Sequence, residues 1–408
     1  MKKDWEIKKL GDVCLKRDSI KWKNENSNTE YQYIDLSAVD RESKGITDTQ
    51  IITKENAPSR AQQLVKTGDI LFGTTRPTLK RFCLLSDDYD GQICSTGFCV
   101  VRPNQRIVSP DWIFYQFYNE EFYEYIEPLQ KGANYPAVTD KDIYNFNIPV
   151  PPLEEQKRIV KIMDEKFAQL ESLKANAQSN LQNAKDLFQS QLKKIFNNKD
   201  LKKKKLSDLC ELISGYAFDS KGYTSNDEDT LLICGDNIMH CSFRWETVKK
   251  WPKEQYNDLK RFELKEYDIV LAMDRPWIKS GLKISKITEN ELPSLLVQRT
   301  AAIRTTRKIL SEYLYYALQE ESFSKYLVDQ QTGAGVPHIS GKQILNFEVG
   351  IPLSPSTRSE DLELRGIVKE LDTLSEKVKA LCAIYEKQIA DCDELKQAYL
   401  QKAFAGEL

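Results

Sequence analysis

The sequence predicts an α+β fold in which two similar globular domains are separated by two long antiparallel helices that form a coiled coil. Two observations carry this prediction. The segment that begins at Gly132 returns 201 positions later at Gly333, and a long uninterrupted helical pattern follows each copy. A repeat of this length is a whole module used twice, because solenoid units recur about every 20–50 residues. The chain therefore has a pseudo-two-fold internal repeat, and two similar modules suit a two-part or symmetric target.

The register of the repeat extends through almost the whole chain. Residues 10–14 match residues 206–210, an offset of 196, and residues 159–161 match residues 367–369, an offset of 208. The offset grows in small steps along the chain. Such growth is expected of a duplication followed by insertions in surface loops.

Within each copy of the repeat, the sequence pattern changes once, from short strands and turns to one long helix. This change marks the predicted domain boundary. Short β-branched and aromatic runs bounded by Gly, Asp, Asn and Pro predict strands, and apolar residues at helical spacing predict one amphipathic helix over residues 110–126. Prolines at 149, 151 and 152 end this pattern. We predict globular domains over residues 1–152 and 199–360, and helices over residues 153–198 and 361–408.

The first helical stretch steps by threes and fours without Pro or Gly from Leu153 to Asn198. It predicts a helix of about 43 residues, about 65 Å long. A lone helix of this length needs its apolar stripe buried, and two equal stripes favour packing against each other. The alternative, in which each helix folds back on its own module, is disfavoured because such a helix outruns a domain of about 150 residues.

The overall composition is that of a soluble protein of about two to three domains, with 408 residues, 40% hydrophobic and 29% charged. We expect no signal peptide and no membrane span. Nine cysteines without CxxC spacing predict free thiols in a reducing cytoplasm, with Cys14 and Cys210 filling equivalent core positions.

A search for catalytic motifs is negative. His240 and His338 are the two histidines of the chain, which leaves little for Ser-His-Asp or Cys-His catalysis or for a His/Cys metal site. The sequence predicts no phosphate-binding loop, because its glycines do not have the spacing that such loops require. The Asn/Asp-Pro-Pro-aromatic motif of amino-methyltransferases also fails, because Val150 and Leu153 flank the Pro-Pro pair. We predict a binding scaffold that is not an enzyme and holds no cofactor or metal itself.

Charge and loop composition indicate where such a scaffold binds. The net charge of −2 argues mildly against a free-standing nucleic-acid binder. Residues 247–308 nevertheless hold 14 Lys and Arg against 8 Asp and Glu, and residues 54–106 hold 8 against 5. Both excesses fall in the same part of the repeat, although a solvated mixed face is the alternative explanation.

Each excess contains a loop in which Arg precedes Pro, and Arg and Lys are the residues that read guanine edges and neutralise phosphates. The alternatives are a loop arginine that pairs with a neighbouring carboxylate, and a core role for Tyr135. The DNA-binding candidates are Thr74, Thr75, Arg76, Lys80, Arg81, Asn134, Tyr135, Arg275, Trp277, Lys279 and His338.

Four segments resemble recurrent sequence motifs of the specificity subunits of type I restriction-modification systems. They are residues 68–71 (Gly-Asp-Ile-Leu), 95–98 (Ser-Thr-Gly-Phe), 132–138 (Gly-Ala-Asn-Tyr-Pro-Ala-Val) and 148–156 (Ile-Pro-Val-Pro-Pro-Leu-Glu-Glu-Gln). The resemblance covers essentially the whole chain. In the second copy the last phrase has changed to Ile-Pro-Leu-Ser-Pro at residues 351–355, and its Leu-Glu-Glu-Gln is lost.

The resemblance implies two target-recognition domains, each reading one half of a split, asymmetric site in double-stranded DNA. The two domains differ outside the shared phrases, so we predict two different half-sites. The helices would set the spacing and dock two modification (methyltransferase) subunits, and restriction (translocase/endonuclease) subunits would join them. The candidate helix residues are Glu154, Glu155, Ile159, Met163, Leu170, Ile367, Leu371 and Val378.

S-adenosylmethionine, ATP and Mg would then belong to the partner subunits, and this chain would hold no catalytic residue. The rival interpretation is an unpartnered DNA-binding or protein-adaptor scaffold with no role in restriction. A fused nuclease or methyltransferase is nearly excluded by the missing motifs.

Overall fold

The computed structural model describes residues 5–255, 257–331, 337–354 and 356–408. The chain divides into two compact units. Unit 1 is Met1–Gln178 with Glu386–Leu408, and unit 2 is Ser179–Tyr385. Residues 333–336, which open the second copy of the repeated segment, lie outside the described residues.

The globular domain of unit 1 contains two sheets and a strand pair. Its strands are β1 (Glu6–Lys9), β2 (Cys14–Leu15), β3 (Asp18–Ser19), β4 (Tyr31–Ile34), β5 (Gln50–Ile52), β6 (Ala61–Leu64), β7 (Ile70–Gly73), β8 (Phe82–Leu84), β9 (Ile93–Ser95), β10 (Phe98–Pro103) and β11 (Asn147–Val150). The sheet orders are β3-β6-β9-β4-β5 and β2-β10-β7-β8, and β1 pairs with β11. Phe72 and Leu71 on β7 pack into two different buried clusters because alternate side chains of a strand point to opposite faces.

The domain of unit 2 repeats this plan. Its strands are β12 (Leu201–Lys205), β13 (Glu211–Ser214), β14 (Thr230–Ile233), β15 (Lys249–Trp251), β16 (Ile269–Ala272), β17 (Trp277–Ile278), β18 (Gly281–Leu282), β19 (Ile284–Lys286), β20 (Ser294–Leu296), β21 (Thr300–Arg304) and β22 (Glu348–Pro352). The order β13-β21-β16-β19 is the counterpart of β2-β10-β7-β8, and β12 pairs with β22 as β1 pairs with β11.

The helices connect and flank these sheets. In chain order they are α1 (Pro110–Gln116), α2 (Glu120–Ile126), α3 (Asp140–Tyr144), α4 (Leu153–Phe196), α5 (Lys308–Ala317), α6 (Glu321–Gln330), α7 (Gly341–Asn346) and α8 (Thr357–Ala405). None of the helices in the described ranges combines the length and apolarity that a membrane crossing requires.

The prediction of one helix over residues 110–126 is wrong, because the chain forms α1 and α2 there. Helix α1 ends at Gln116 with Phe117 as its C-cap, and Asn119 caps α2, where its side chain accepts a hydrogen bond from the Glu121 backbone N–H. Asparagine is among the residues most favoured at this capping position. The apolar residues keep helical spacing across the break, which is why the pattern alone predicted one helix.

The two long helices are continuous. Helix α4 has 44 residues and begins at Leu153, and α8 has 49 residues and begins at Thr357, four residues before the predicted start. In unit 1, Lys174 pairs with Asp393 at 2.6 Å and Glu171 pairs with Lys396 at 2.9 Å. Residue numbers thus rise along one helix and fall along the other, so the pairing is antiparallel.

The helices also pair within unit 2, where Gln191 donates a hydrogen bond to Glu370 at 2.7 Å. The predicted fold class, two similar α+β domains with two long antiparallel helices and a pseudo-two-fold repeat, is confirmed. The predicted domain limits stay a prediction.

The C-terminal turns of each long helix are anchored in an aromatic core. In unit 1, Phe404 of α8 lies edge-on to Trp112 with ring centroids 5.2 Å apart. In unit 2, Phe196 of α4 contacts Tyr313 at 5.1 Å. These positions are equivalent in the repeat, so both helix ends are held in the same way.

Candidate functional site

Two loops of each domain meet at the candidate site. The Arg-Pro loop is residues 74–81 in unit 1, between β7 and β8, and residues 273–283 in unit 2, between β16 and β19. The Pro segment is residues 131–138 in unit 1 and, among the described residues, 337–339 in unit 2. All eleven DNA-binding candidates predicted from the sequence lie in these loops.

Backbone hydrogen bonds fix the Arg-Pro loop of unit 1 from two sides. The Arg76 N–H donates to Pro136 O at 2.6 Å, and the Val138 N–H donates to Thr74 O at 3.0 Å. The Thr74 N–H donates to Gly97 O at 2.9 Å. The loop is therefore held by the Pro segment and by the turn that precedes β10.

Unit 2 makes the same three bonds at the equivalent positions. The Arg275 N–H donates to Pro337 O at 2.9 Å, and the Ile339 N–H donates to Met273 O at 2.9 Å. The Met273 N–H donates to Arg299 O at 2.9 Å. The two domains therefore share one backbone frame at this site.

The arginine of each loop has a left-handed backbone, with φ of 49° at Arg76 and 45° at Arg275. This conformation costs a residue with a side chain about 1–2 kcal/mol. It persists where surrounding contacts over-determine it, and such strain concentrates at functional sites. Its recurrence in both domains makes the two arginines the leading candidates for ligand contact.

Three predicted residues of unit 1 come together at the exposed tip of this site. The Arg76 guanidinium lies 5.0 Å from the centroid of the Tyr135 ring and donates a hydrogen bond to Asn134 O at 3.2 Å. Tyr135 is 70% exposed, which is unusual for a large aromatic side chain and rules out the core role considered for it. Cation and ring thus form one solvent-facing surface.

The other predicted residues of unit 1 are committed to the fold. Lys80 forms an ion pair with Glu120 and lies 4.6 Å from the Tyr123 ring centroid. Thr74 donates its hydroxyl hydrogen to Gly97 O at 2.9 Å, and Thr75 is half-buried in its bridge to the Pro segment.

Arg81 anchors the base of the loop. Its guanidinium donates to Leu36 O, and burial lowers the pKa of Arg81. In unit 2 the equivalent residue is Lys283, which donates to Gly235 O at 2.9 Å. The repeat register had matched Arg81 near Ser280, but the second loop is three residues longer and forms the β17–β18 hairpin.

In unit 2 the predicted residues separate in the same way. Arg275 and Lys279 are exposed, whereas Trp277 is half-buried and donates its indole N–H to Ser324 at 2.9 Å. His338 is half-buried and its Nδ1 lies within hydrogen-bond distance of Asp274. Burial by itself would raise the pKa of Asp274, but hydrogen bonds from His338 and Arg299 outweigh it and lower that pKa.

Arg299 is a candidate that sequence reasoning missed. Its side chain is 70% exposed and lies beside the Arg-Pro loop through its ion pair with Asp274. The turn before β21 lies between the matched segments of the repeat, so no sequence signal marked it. Only the strand register, in which Thr300 occupies the place of Phe98, shows that Arg299 is equivalent to Gly97.

The helix candidates are mostly internal to the chain. Glu154 is exposed and pairs with Lys157, and Glu155 pairs with Arg158. The apolar candidates are buried or half-buried within the chain, which suits a spacer role better than direct contact with a partner: Ile159, Met163, Leu170, Ile367, Leu371 and Val378.

Among the described residues, the other reactive side chains form no metal-binding cluster. Within the described ranges, no group of three or more His, Cys, Asp and Glu side chains is placed to hold a metal ion. All nine cysteines are free thiols, as predicted, and burial raises the pKa of both Cys14 and Cys210 to about 12. His240 Nδ1 lies 3.0 Å from Leu282 O.

Comparison with known proteins gives one consistent family. The type I restriction modification DNA specificity domain matches residues 2–182 and 198–379. The chain is 27% identical over 372 residues to the type I restriction enzyme MjaVIII specificity subunit of Methanocaldococcus jannaschii, which covers 86% of this chain and 82% of that protein.

Two solved structures share the fold over the full chain. One, from a study of complex assembly and conformational transition of the type I R-M system, has a TM-score of 0.82 at 27% identity and covers 100% of this chain and 99% of its own. The other, the HsdS subunit from Thermoanaerobacter tengcongensis, has a TM-score of 0.56 at 27% identity, with 100% and 98% covered.

Proposed function

Because the chain belongs to the type I restriction modification DNA specificity family, we propose that it is the specificity subunit of such a system and that each domain reads one half of a bipartite, asymmetric DNA site. The observation that carries this proposal is the paired Arg-Pro loop. The same backbone frame presents Arg76 in unit 1 and Arg275 in unit 2, both exposed and both in a left-handed conformation.

The chemistry of these loops suits double-stranded DNA. Arginine forms two hydrogen bonds with guanine in the major groove or neutralises a phosphate, and an exposed ring such as that of Tyr135 adds apolar contact with bases or sugars. Holding the loop before binding reduces the entropy lost on association.

The two domains carry different side chains around the shared frame. Thr75 and Ala137 in unit 1 stand where Asp274 and His338 stand in unit 2. Different hydrogen-bonding groups at one geometric position select different base pairs. The two half-sites are therefore unlike, and the complete site is not a palindrome.

The helices fix the distance between half-sites and carry the partners. Burial of Met163 and Leu170 on α4 and of Leu371 on α8 supports a rigid spacer. The exposed charged residues near the start of α4, such as Glu154, offer a surface to two modification subunits. Restriction subunits complete the assembly.

The chemistry belongs to the partners in this proposal. S-adenosylmethionine is bound by the modification subunits, ATP and Mg by the restriction subunits, and the specificity subunit is non-catalytic and cytoplasmic. A near-neutral net charge of −2 suits a chain whose partners supply much of the cationic DNA clamp.

A genome-wide map of methylated adenines tests the proposal. It compares cells with and without this chain, with the modification partner present in both. The expected result is a split motif with two unlike halves that disappears when the chain is deleted. A map that does not change on deletion would contradict the proposal and favour a scaffold with no role in modification.

A further inference from the structure

Arg299 is built into the turn between β20 and β21. Its carbonyl holds the Arg-Pro loop through the bond from Met273, and its own backbone is left-handed with φ of 63°. The guanidinium Nη1 donates to Asp274, and 70% of the side chain is exposed. One corner of the guanidinium is thus fixed while the rest faces solvent.

Most of the donors of this guanidinium have no partner within the part of the chain that the structure describes. A guanidinium carries five N–H donors in a planar fork. Within the described ranges, Asp274 is the sole hydrogen-bond acceptor of the Arg299 side chain. Among the described residues the Nε and Nη2 hydrogens have no acceptor, so they can bind a ligand.

Asp274 is itself held from two sides. It accepts from Arg299 through one carboxylate oxygen and contacts His338 Nδ1 through the other. The carboxylate is only 19% exposed. These three side chains form a hydrogen-bonded triad that sets the direction of the Arg299 fork.

Unit 1 has other residues at the three positions of this triad. The equivalent residues are Thr75, Ala137 and Gly97, and a Cβ atom at Gly97 would lie 2.7 Å from Leu36 Cδ1. The position equivalent to Leu36 in unit 2 is a glycine.

That residue is Gly235, whose carbonyl accepts from Lys283 just as Leu36 O accepts from Arg81. The large and the small residue of this pair have changed places between the units. Unit 1 has Leu36 and Gly97, and unit 2 has Gly235 and Arg299 at the equivalent positions. Unit 2 therefore lacks the leucine side chain that a Cβ atom at Gly97 would meet in unit 1.

We propose that Arg299 is a specificity-determining residue that reads a guanine in the second half-site, with Asp274 as its positioning residue. This inference rests on the proposed function and names one of its base contacts. Guanine presents the O6 and N7 acceptors that match the arginine fork in the major groove.

The geometry favours a base over a phosphate. The ion pair with Asp274 reduces the local positive charge, which weakens a phosphate contact that depends on charge. It also fixes the direction of the remaining donors, which strengthens a contact that depends on hydrogen-bond direction. Unit 1 presents no side chain at this position, so the first half-site lacks an equivalent contact.

The test uses the purified complex of this chain with its modification partner and a DNA library randomised at every base of both half-sites. Arg299→Gln is expected to lose about 5- to 100-fold of the preference for guanine at one position of the second half-site. Preferences in the first half-site should not change, and they serve as the internal control for folding and assembly.

Two further variants separate the effect of hydrogen-bond direction at Arg299 from the effect of its charge. Arg299→Lys keeps the charge and loses the fork, so it should lose the same preference while the dependence of affinity on salt stays unchanged. Asp274→Asn should give a smaller loss at the same base. A role limited to stability would instead lower affinity for all sequences alike.

Each contrary result has a distinct meaning. Uniform weakening by Arg299→Gln, with a salt slope reduced by about one, would mean a phosphate contact and would overturn the inference. Unchanged preference at every position would overturn it as well. If the unaltered complex selects no split motif, the proposed function itself fails, and this inference fails with it.

Discussion

The Arg-Pro loops of the two units have the same backbone and different surroundings. In unit 1 the arginine stacks on Tyr135, beside the uncharged Thr75 and Ala137. In unit 2 the loop lies against the hydrogen-bonded triad that includes Asp274 and Arg299. The comparison indicates that the fold supplies a fixed frame, and that side chains placed on this frame can change without altering it.

The frame itself is held by contacts that both units keep. The Asp69–Arg102 ion pair of unit 1 has its counterpart in Asp268–Arg304, and each arginine donates from Nε and Nη2 to both carboxylate oxygens. These hydrogen bonds raise the pKa of both arginines. Both ion pairs lie outside the Arg-Pro loops and the Pro segments, so we attribute this similarity to the stability of the fold.

The largest effect on the recognised DNA site is expected from lengthening the spacer helix α4 while both Arg-Pro loops stay intact. Inserting four helical residues near Ala177 lengthens α4 by about 6 Å and rotates its end by about 40°. At about 3.4 Å per base pair, the unspecified gap should grow by one or two base pairs.

Methylation mapping of the insertion variant measures the gap and both half-sites together. An altered half-site with an unaltered gap would contradict the assignment of spacing to the helix and of reading to the loops.

The buried ion pairs should differ in strength between the units. Asp69→Asn is expected to destabilise unit 1 by about 1–3 kcal/mol, because it weakens the hydrogen bonds of the buried Arg102, which keeps its ion pair with Asp18. Asp268→Asn should cost more, about 3–5 kcal/mol, since Asp268 is the carboxylate that forms the ion pair with Arg304 among the described residues. Hydrogen exchange resolved by peptide measures each unit separately, and equal losses of protection would refute this ranking.

The starts of the two long helices offer a reciprocal test. Gln156 is fully buried, accepts from the Ser109 N–H, and donates to Ile107 O and Pro151 O. The equivalent residue of α8 is Leu364, also fully buried but within an apolar cluster.

Gln156→Leu should destabilise unit 1 by about 1–3 kcal/mol, because it leaves buried backbone groups unpaired. Leu364→Gln should destabilise unit 2 by a similar amount through an unpaired amide. Thermal unfolding of the two variants provides the comparison. A neutral Gln156→Leu variant would mean that the glutamine has no structural role.

The smallest effect on stability has the opposite sign. Arg76→Gly should stabilise unit 1 by about 1 kcal/mol by relieving the left-handed strain, and at the same time weaken DNA binding. Arg76→Gln is the matched control, because it removes the charge but keeps the strain. If Arg76→Gly is no more stable than Arg76→Gln, the strain argument fails for this loop.

The repeat, the two long helices and the positions of the exposed arginines could be predicted from the sequence, because each depends on local pattern. The break at Asn119 could not, since apolar spacing continues across it. The structural role of Arg81 was hidden because a buried anchor and a DNA contact need the same residue type. Arg299 was hidden because its equivalence to Gly97 exists only in the strand register.

The most direct test of the account is a pair of methylation maps from Arg76→Gln and Arg275→Gln chains, each with its modification partner. The account predicts that each variant relaxes base preference in one half of the motif, and that the two variants affect different halves. If both variants alter the same half, or if the unaltered motif is a palindrome, the account of two independent readers on one frame is contradicted.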